Sequence, residues 1–343
     1  MKRNYPFNCW WVAAIAEEVT SKPLSRWLLE QRVVLFRTKD GTVSALDDRC
    51  AHRWAPLSQG KLIGDEIACP YHGFRYDTRG ACTHVPTQFK VPPTLRVGSY
   101  PVREHGTFVW IWMGDPAKAD PALLPEIPWF TDPTYFQLRG YLGEVRCNYM
   151  LIQENVLDLT HIPHLHADTI QPEGFEQPPA DVKVTDRSVT FVLALSDSAA
   201  EPHLAIPMGI EAGKRVNQVG WGSFASPACH VSGMDIEDPA EKGKRGRYNF
   251  RSLHCTTPIS PNRSYYWWAH AQDYGHQIPD LGEHQKAAAE AIFKQDIDVL
   301  EAIQMTIDND MRGGNAPQYL VASDRAAVEA RRILKKMLEA EAV

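Results

Sequence analysis

Cys50-Ala51-His52 and Cys69-Pro70-Tyr71-His72 decide how the first third of this chain is read. Each stretch offers one thiol and one imidazole, and two such loops can converge on one metal centre. A Cys₂His₂ zinc site is the plain alternative. Zinc knuckles usually begin by pairing like with like, whereas here each loop supplies one ligand of each kind. That division is what an asymmetric two-iron cluster needs, with thiolates on one iron and imidazoles on the other.

Working outward, the flanking sequence reads as strands. Arg32-Val33-Val34-Leu35-Phe36-Arg37 and Thr42-Val43-Ser44-Ala45-Leu46 are short and rich in β-branched residues, with Asp40-Gly41 between them as a hairpin signal. Thr107-Phe108-Val109-Trp110-Ile111-Trp112 reads as a buried strand. We expect an all-β domain over residues 1–117. A proline-dense junction follows over 118–133 (Pro121, Pro125, Pro128, Pro133). The second domain, 134–343, mixes strands such as Tyr265–His270 with a helix over Gln285–Asp308. A terminal helix runs from about Asp324 to Glu339, capped by Ser323 or Asp324. The fold class expected is α+β.

With those residues in view, the N-terminal part resembles the Rieske [2Fe–2S] family. The likeness rests on Cys50-x-His52 and Cys69-Pro70-Tyr71-His72-Gly73-Phe74, followed by Tyr76-Asp77 and Gly80. It implies that Cys50, His52, Cys69 and His72 hold the cluster. Cys9, Cys82, Cys147, Cys229 and Cys255 lack such spacing and read as core or surface thiols.

A second constellation lies in Asn155-Val156-Leu157-Asp158-Leu159-Thr160-His161-Ile162-Pro163-His164-Leu165-His166. On one helix Asn155, Asp158 and His161 form a polar line. Pro163 should end or bend that helix. Along an ideal helix His166 falls about 140° from His161. The residues alone therefore favour His161 with His164, and His166 joins His161 only if the helix is interrupted. The segment resembles the mononuclear-iron motif of Rieske oxygenases, Asn-x₂-Asp-x₂-His-x₄-His, which implies His161 and His166 as ligands, with Asn155 and Asp158 in the catalytic machinery.

Two histidines and one carboxylate make the facial triad of non-haem Fe(II) oxygenases. In the helix from Gln285, Asp296 has Ile292, Phe293, Val299, Leu300 and Ile303 as helical neighbours. A carboxylate in an apolar stripe needs a cation or strong donors. Asp298 has Lys294, Gln295, Glu301 and Ala302 around it and reads as a solvent-facing charge. The pattern selects Asp296 as third ligand, and Phe293-Lys294-Gln295-Asp296 resembles the carboxylate-bearing helix of the vanillate O-demethylase and dicamba monooxygenase group.

The resemblance covers nearly the whole chain, since Tyr5-Pro6-Phe7-Asn8-Cys9-Trp10-Trp11 is also similar to the start of that group. It implies a helix-grip catalytic domain, a [2Fe–2S] Rieske cluster and a mononuclear Fe(II). It further implies O₂ as co-substrate, an NAD(P)H-dependent reductase or ferredoxin as electron source, and a small methoxy- or N-methyl-aromatic substrate. The assembly implied is a homotrimer in which Asp158 accepts from His161 and from His72 of the partner subunit. Leu253-His254-Cys255-Thr256-Thr257-Pro258 loosely resembles a segment bearing a pocket histidine, making His254 a candidate substrate-binding residue. Trp221 and Phe224 read first as core packing, with the cavity wall as the alternative. The alternatives are a ring-hydroxylating oxygenase, or an electron carrier or ligand-binding redox protein without mononuclear iron.

Composition limits the remaining choices. At roughly 150 residues per domain, 343 residues allow about two. A net charge of −6 argues against nucleic acid as partner. Seven cysteines are too few for a disulfide scaffold and fit a reducing compartment. No apolar run approaches the roughly 20 residues of a membrane span, and the expected location is the cytoplasm.

Overall fold

The computed structural model describes residues 4–170, 174–179, 181–241, 245–312 and 317–342. The chain forms two compact units. The first comprises Tyr5–Leu124 with Thr257–Ser260, and the second is built from Pro125–Thr256 and Pro261–Val343.

The first unit is all β. Its strands are β1 (Trp10–Ile15), β2 (Leu24–Leu28), β3 (Gln31–Arg37), β4 (Val43–Asp47), β5 (Lys61–Ile63), β6 (Glu66–Ala68), β7 (Arg75–Tyr76), β8 (Cys82–His84), β9 (Ser99–Tyr100), β10 (Val102–His105) and β11 (Phe108–Trp112). They form three sheets, β1-β11-β10, β2-β3-β4-β9 and β5-β6-β7-β8. Asp40-Gly41 turns β3 into β4, with Gly41 at φ +89°, where a side chain is disfavoured. Trp11, Trp110 and Trp112 are at most 1% exposed and supply much of the apolar payload. A separate core beneath the two cysteine loops contains Phe36, Leu46, Leu57, Ile67, Phe74 and Tyr76.

The second unit is α+β. A seven-stranded antiparallel sheet is made of β12 (Phe136–Val145), β13 (Asp181–Val184), β14 (Val189–Ala199), β15 (Arg215–Ser226), β16 (Cys229–Glu237), β17 (Arg247–Ser260) and β18 (Arg263–Gln272). Their order is β12-β18-β17-β16-β15-β14-β13. The helices are α1 (Tyr149–Leu157), α2 (Ile162–Leu165), α3 (Pro202–Met208), α4 (Leu281–Asn309) and α5 (Arg325–Glu341). Helix α4 packs Ala289 and Phe293 against Trp268, and Ile297 and Leu300 against Val145, Ile152 and Tyr266.

Two local expectations are revised. The helix holding Asn155 ends at Leu157, six residues before Pro163. Asp158 is extended (φ −124°, ψ 98°), a 3₁₀ turn covers Leu159–His161, and α2 begins afresh. Pro163 lies in the first turn of α2, where a missing N–H leaves no hydrogen bond broken. The apolar stripe of α4 is also rotated from the one read in sequence. Ala289, Phe293, Asp296, Ile297 and Leu300 are buried, whereas Val299 and Ile303 are 41% and 40% exposed.

Candidate metal centres and substrate cavity

The two cysteine loops share one backbone design. Cys50 N–H donates to Ala55 O, and Trp54 N–H donates back to Cys50 O, both at 2.9 Å. In the second loop Cys69 N–H donates to Phe74 O at 2.7 Å, and Gly73 N–H returns to Cys69 O at 3.1 Å. The returning residue is left-handed in each case, Trp54 at φ +60° and Gly73 at φ +71°. Both cysteines are buried, and His52 and His72 are exposed. The imidazole rings stand 4.7 Å apart, and His52 stacks on Phe74 at 4.9 Å. Burial and the neighbouring Cys50 push the Cys69 thiol up. Tyr76, part of the motif but given no role in the sequence, lies with its hydroxyl 3.1 Å from Cys50 Sγ.

This donor set discriminates between metals. Around one tetrahedral zinc, four ligand atoms at about 2.0–2.3 Å from the ion stand roughly 3.3–3.8 Å from one another. Among the described residues, the trio of His, Cys, Asp or Glu ligand atoms found within 4.8 Å of one another belongs to a different site. Two thiols inside and two imidazoles outside suit a two-iron cluster.

That other trio is His161, His166 and Asp296. The break at Asp158 makes it possible, because it uncouples the two histidines from a single helical phase. Asp296 Oδ1 lies 3.4 Å from His161 Nε2 and 3.2 Å from His166 Nε2. Asn155 Nδ2 donates to the same oxygen at 3.1 Å. Burial alone raises the Asp296 carboxyl, but the hydrogen bonds from both histidines outweigh it and hold the group at about 2. Burial opposes charge on His166, yet Asp296 and Gln295 raise it overall.

Each imidazole has a partner on its far nitrogen. His166 Nδ1 pairs with Gln295 Oε1 at 2.7 Å, a residue the sequence reading left unassigned although it adjoins Asp296. His161 Nδ1 pairs at 2.6 Å with the main-chain carbonyl of Asp158, where the sequence led us to expect the carboxylate. The Asp158 carboxylate instead accepts from Thr160 N and Thr160 Oγ1. His164 is exposed. Asp298 forms a surface pair with Lys294.

The triad opens on a cavity of about 280 Å³. One side of its wall comes from alternate residues of two paired strands. In the register of β16 and β17, His230 faces His254, Ser232 faces Ser252 and Met234 faces Phe250, and all six line the cavity. Trp221 also lines it, whereas Phe224 is fully buried and does not appear among the lining residues. Gly222 makes room for His230, since a Cβ there would stand 2.8 Å from its Nε2 and 2.5 Å from Phe191. His254 has both nitrogens engaged, Nε2 with Ser252 Oγ at 3.0 Å and Nδ1 with Tyr266 Oη at 2.7 Å. Burial lowers it to about 4, and lowers His230 as well. No motif marks His230; only the strand register brings it to the wall.

Residues 9–101 match the Rieske [2Fe–2S] domain, and residues 145–340 match the vanillate O-demethylase oxygenase C-terminal domain. The chain belongs to the Rieske non-haem iron oxygenases. It is 32% identical to the oxygenase component of dicamba O-demethylase from Stenotrophomonas maltophilia, covering 98% of both chains. It is 31% identical to the oxygenase component of chloroacetanilide N-alkylformylase from Rhizorhabdus wittichii, covering 97% of this chain and 96% of that one. Among solved structures, dicamba monooxygenase bound to 3,6-dichlorosalicylic acid superposes with a TM-score of 0.90 at 32% identity over 98% of both chains. The protein is an oxidoreductase and the oxygenase component of a Rieske monooxygenase system. Its cofactors are a [2Fe–2S] cluster and a mononuclear non-haem iron, and its electrons come from a reductase or ferredoxin partner. No helix among the described residues is long and apolar enough to cross a membrane.

Proposed function

We propose that this oxygenase hydroxylates the methyl carbon of a small methoxy- or N-methyl-aromatic, with His161, His166 and Asp296 holding the mononuclear iron and Cys50, His52, Cys69 and His72 holding the cluster. The observation that carries the reading is a 2-His-1-carboxylate triad opening on a cavity sized for one aromatic ring, at the small end of ligand pockets. When bound, the cluster passes single electrons and the iron activates O₂. For a methyl ether the balance is R–O–CH₃ + O₂ + 2 e⁻ + 2 H⁺ → R–OH + CH₂O + H₂O.

The chain's own residues prepare this chemistry. Asn155 fixes Asp296 Oδ1, so the carboxylate keeps one orientation toward both imidazoles. Gln295 and the Asp158 carbonyl fix the two rings. Phe191, Phe250, Phe293 and Ile292 give the cavity an apolar wall that excludes bulk water and holds the ring.

The assembly we propose is a head-to-tail homotrimer in which Asp158 links His161 to His72 of the partner subunit. Two exposed surfaces support it. Trp54 (70% exposed) and Tyr71 (64%) flank the cluster loops. A groove outside the triad is lined by Asp158, His164, Val299, Ile303 and Leu320. A single heterologous contact of this kind closes into a ring. Asp158→Asn is expected to retain both metals and lose most turnover; normal turnover would remove the bridge.

The test of the function is aerobic turnover with a surrogate reductase over methoxy- and N-methyl-aromatics, scored for formaldehyde, alongside iron analysis. About three irons per chain and formaldehyde equal to product are expected. Two irons per chain and no turnover would make the protein an electron carrier. Oxygenated product without formaldehyde would make the reaction ring hydroxylation.

A further inference from the structure

Glycine is unfavourable inside a β-strand, because it loses the most backbone freedom on folding and brings no side chain to pack. The seven-stranded sheet of the second unit nevertheless holds Gly140 and Gly143 in β12, Gly220 and Gly222 in β15, and Gly233 in β16. Most of these are required by the chain itself. A Cβ at Gly140 would stand 2.3 Å from the Trp268 indole, and one at Gly233 would stand 2.7 Å from that of Trp221. At Gly222 a Cβ would meet the Phe191 ring at 2.5 Å. Gly143 is left-handed, at φ +87°, where the pairing of β12 with β18 shifts register.

Gly220 has neither reason. It is not among the left-handed glycines. The atoms nearest a Cβ built on it are Met234 Cε at 3.4 Å, then Met234 Sδ and Leu193 O at 3.7 Å, which is ordinary van der Waals contact. The space could hold a side chain, and the sequence withholds one. Strand register says where that space lies. Gly220 pairs with Met234 and Gly222 with Ser232, and paired residues share a face of the sheet. Met234 and Ser232 line the cavity, and so does Gly220 itself. The Met234 thioether borders the gap, and its unbranched, polarisable chain adapts to apolar neighbours of varied shape. A strand glycine that no protein atom requires marks the close approach of a ligand.

We propose that Gly220 is a specificity-determining residue: the space above it, bordered by Met234, receives an apolar substituent of the aromatic ring, and a side chain at this position would exclude that substituent. This rests on the cavity being the substrate site, as proposed above, but the preference is measured by binding, without turnover. The experiment is anaerobic calorimetry on the metal-loaded enzyme with anisole, its three methyl isomers and its three tert-butyl isomers. Burying one methyl group is worth about fourfold in affinity, so the best methylanisole should exceed anisole by about that factor. Gly220→Val should erase this advantage. Met234→Ala enlarges the space and should raise the affinity of the matching tert-butylanisole relative to anisole by about threefold or more. Gly220→Ala should melt no lower than the unaltered protein, whereas Gly222→Ala, which drives a methyl group into Phe191, should melt several degrees lower. A methyl preference that is absent, or that survives Gly220→Val, would overturn the proposal, as would a series that does not bind. So would a Gly220→Ala protein that melts as low as Gly222→Ala, since glycine would then be a requirement of folding. Failure of the demethylation reading looks different: formaldehyde is absent while the methyl preference stands.

Discussion

Replacing Gln295 by leucine tests whether the iron site depends on the partner of His166. His166 is 2% exposed, and its Nδ1 lies 2.7 Å from Gln295 Oε1. Thr169 Oγ1 donates to the same oxygen at 3.3 Å, so the amide oxygen is the atom turned toward the ring. Leucine removes the acceptor and strands a buried ring N–H, at a cost of about 1–3 kcal/mol. At 1.4 kcal/mol per tenfold, that is about 5–150-fold in iron affinity. The range brackets the roughly 10–100-fold seen when outer partners of metal-bound histidines are lost. The assay is anaerobic Fe(II) titration of the iron-depleted triad against a competing chelator, with the cluster's absorbance as an internal control. The leucine variant should bind iron at least fivefold more weakly with an unchanged cluster spectrum. Gln295→Glu, which keeps an acceptor, should bind as tightly as the unaltered protein. A leucine variant within twofold of that protein would refute the reasoning.

Asp296→Asn should lower iron from about three to about two per chain and abolish turnover while the cluster spectrum stays, as read by iron analysis and visible absorbance. Tyr76→Phe removes the hydroxyl 3.1 Å from Cys50 Sγ. Hydrogen bonds to cluster sulfurs raise the potential; one worth about 1 kcal/mol corresponds, at 59 mV per tenfold for one electron, to on the order of 40 mV. Voltammetry should show a fall of that size. Glu201 has a carboxyl raised by burial from 4.5 to about 7. The folded state therefore holds the proton more tightly than the unfolded one, and stability falls as pH rises between about 4.5 and 7. The loss is on the order of 3 kcal/mol at 1.36 kcal/mol per pH unit. Glu201→Gln should flatten the decline in melting temperature between pH 5 and pH 8, and an unchanged slope would argue against it.

Legibility in the sequence followed the range of the interactions. The cysteine loops were readable because the Cys and His of each lie within a few residues of the turn that carries them. Asp296 was readable because one carboxylate in an apolar helical stripe is costly wherever the stripe points. The stripe's phase was not, since Val299 and Ile303 face an outer groove shared with residues of α5. The break at Asp158 was missed because Pro163 offered a nearer cause. The decisive feature was instead Asp158 capping the 3₁₀ turn through Thr160. His254 was found by resemblance and does line the cavity, but its nitrogens are taken by Ser252 and Tyr266. His230 reaches the cavity wall only through strand register, which no local pattern encodes.

The last four residues of β17 have a consequence for domain exchange. Thr257–Ser260 belong to the first unit, although nearly the whole catalytic sequence before β17 separates them from it. Leu29 N–H donates to Pro258 O, Glu30 N–H to Ile259 O, and Thr257 Oγ1 to Val12 O. A cut at the proline-rich junction strands those amides and that carbonyl. Chimaeras between relatives should therefore carry residues 257–260 with the N-terminal parent. Exchange at a single crossover in the junction swaps an incomplete module, and a graft that respects the two-piece boundary swaps a whole one.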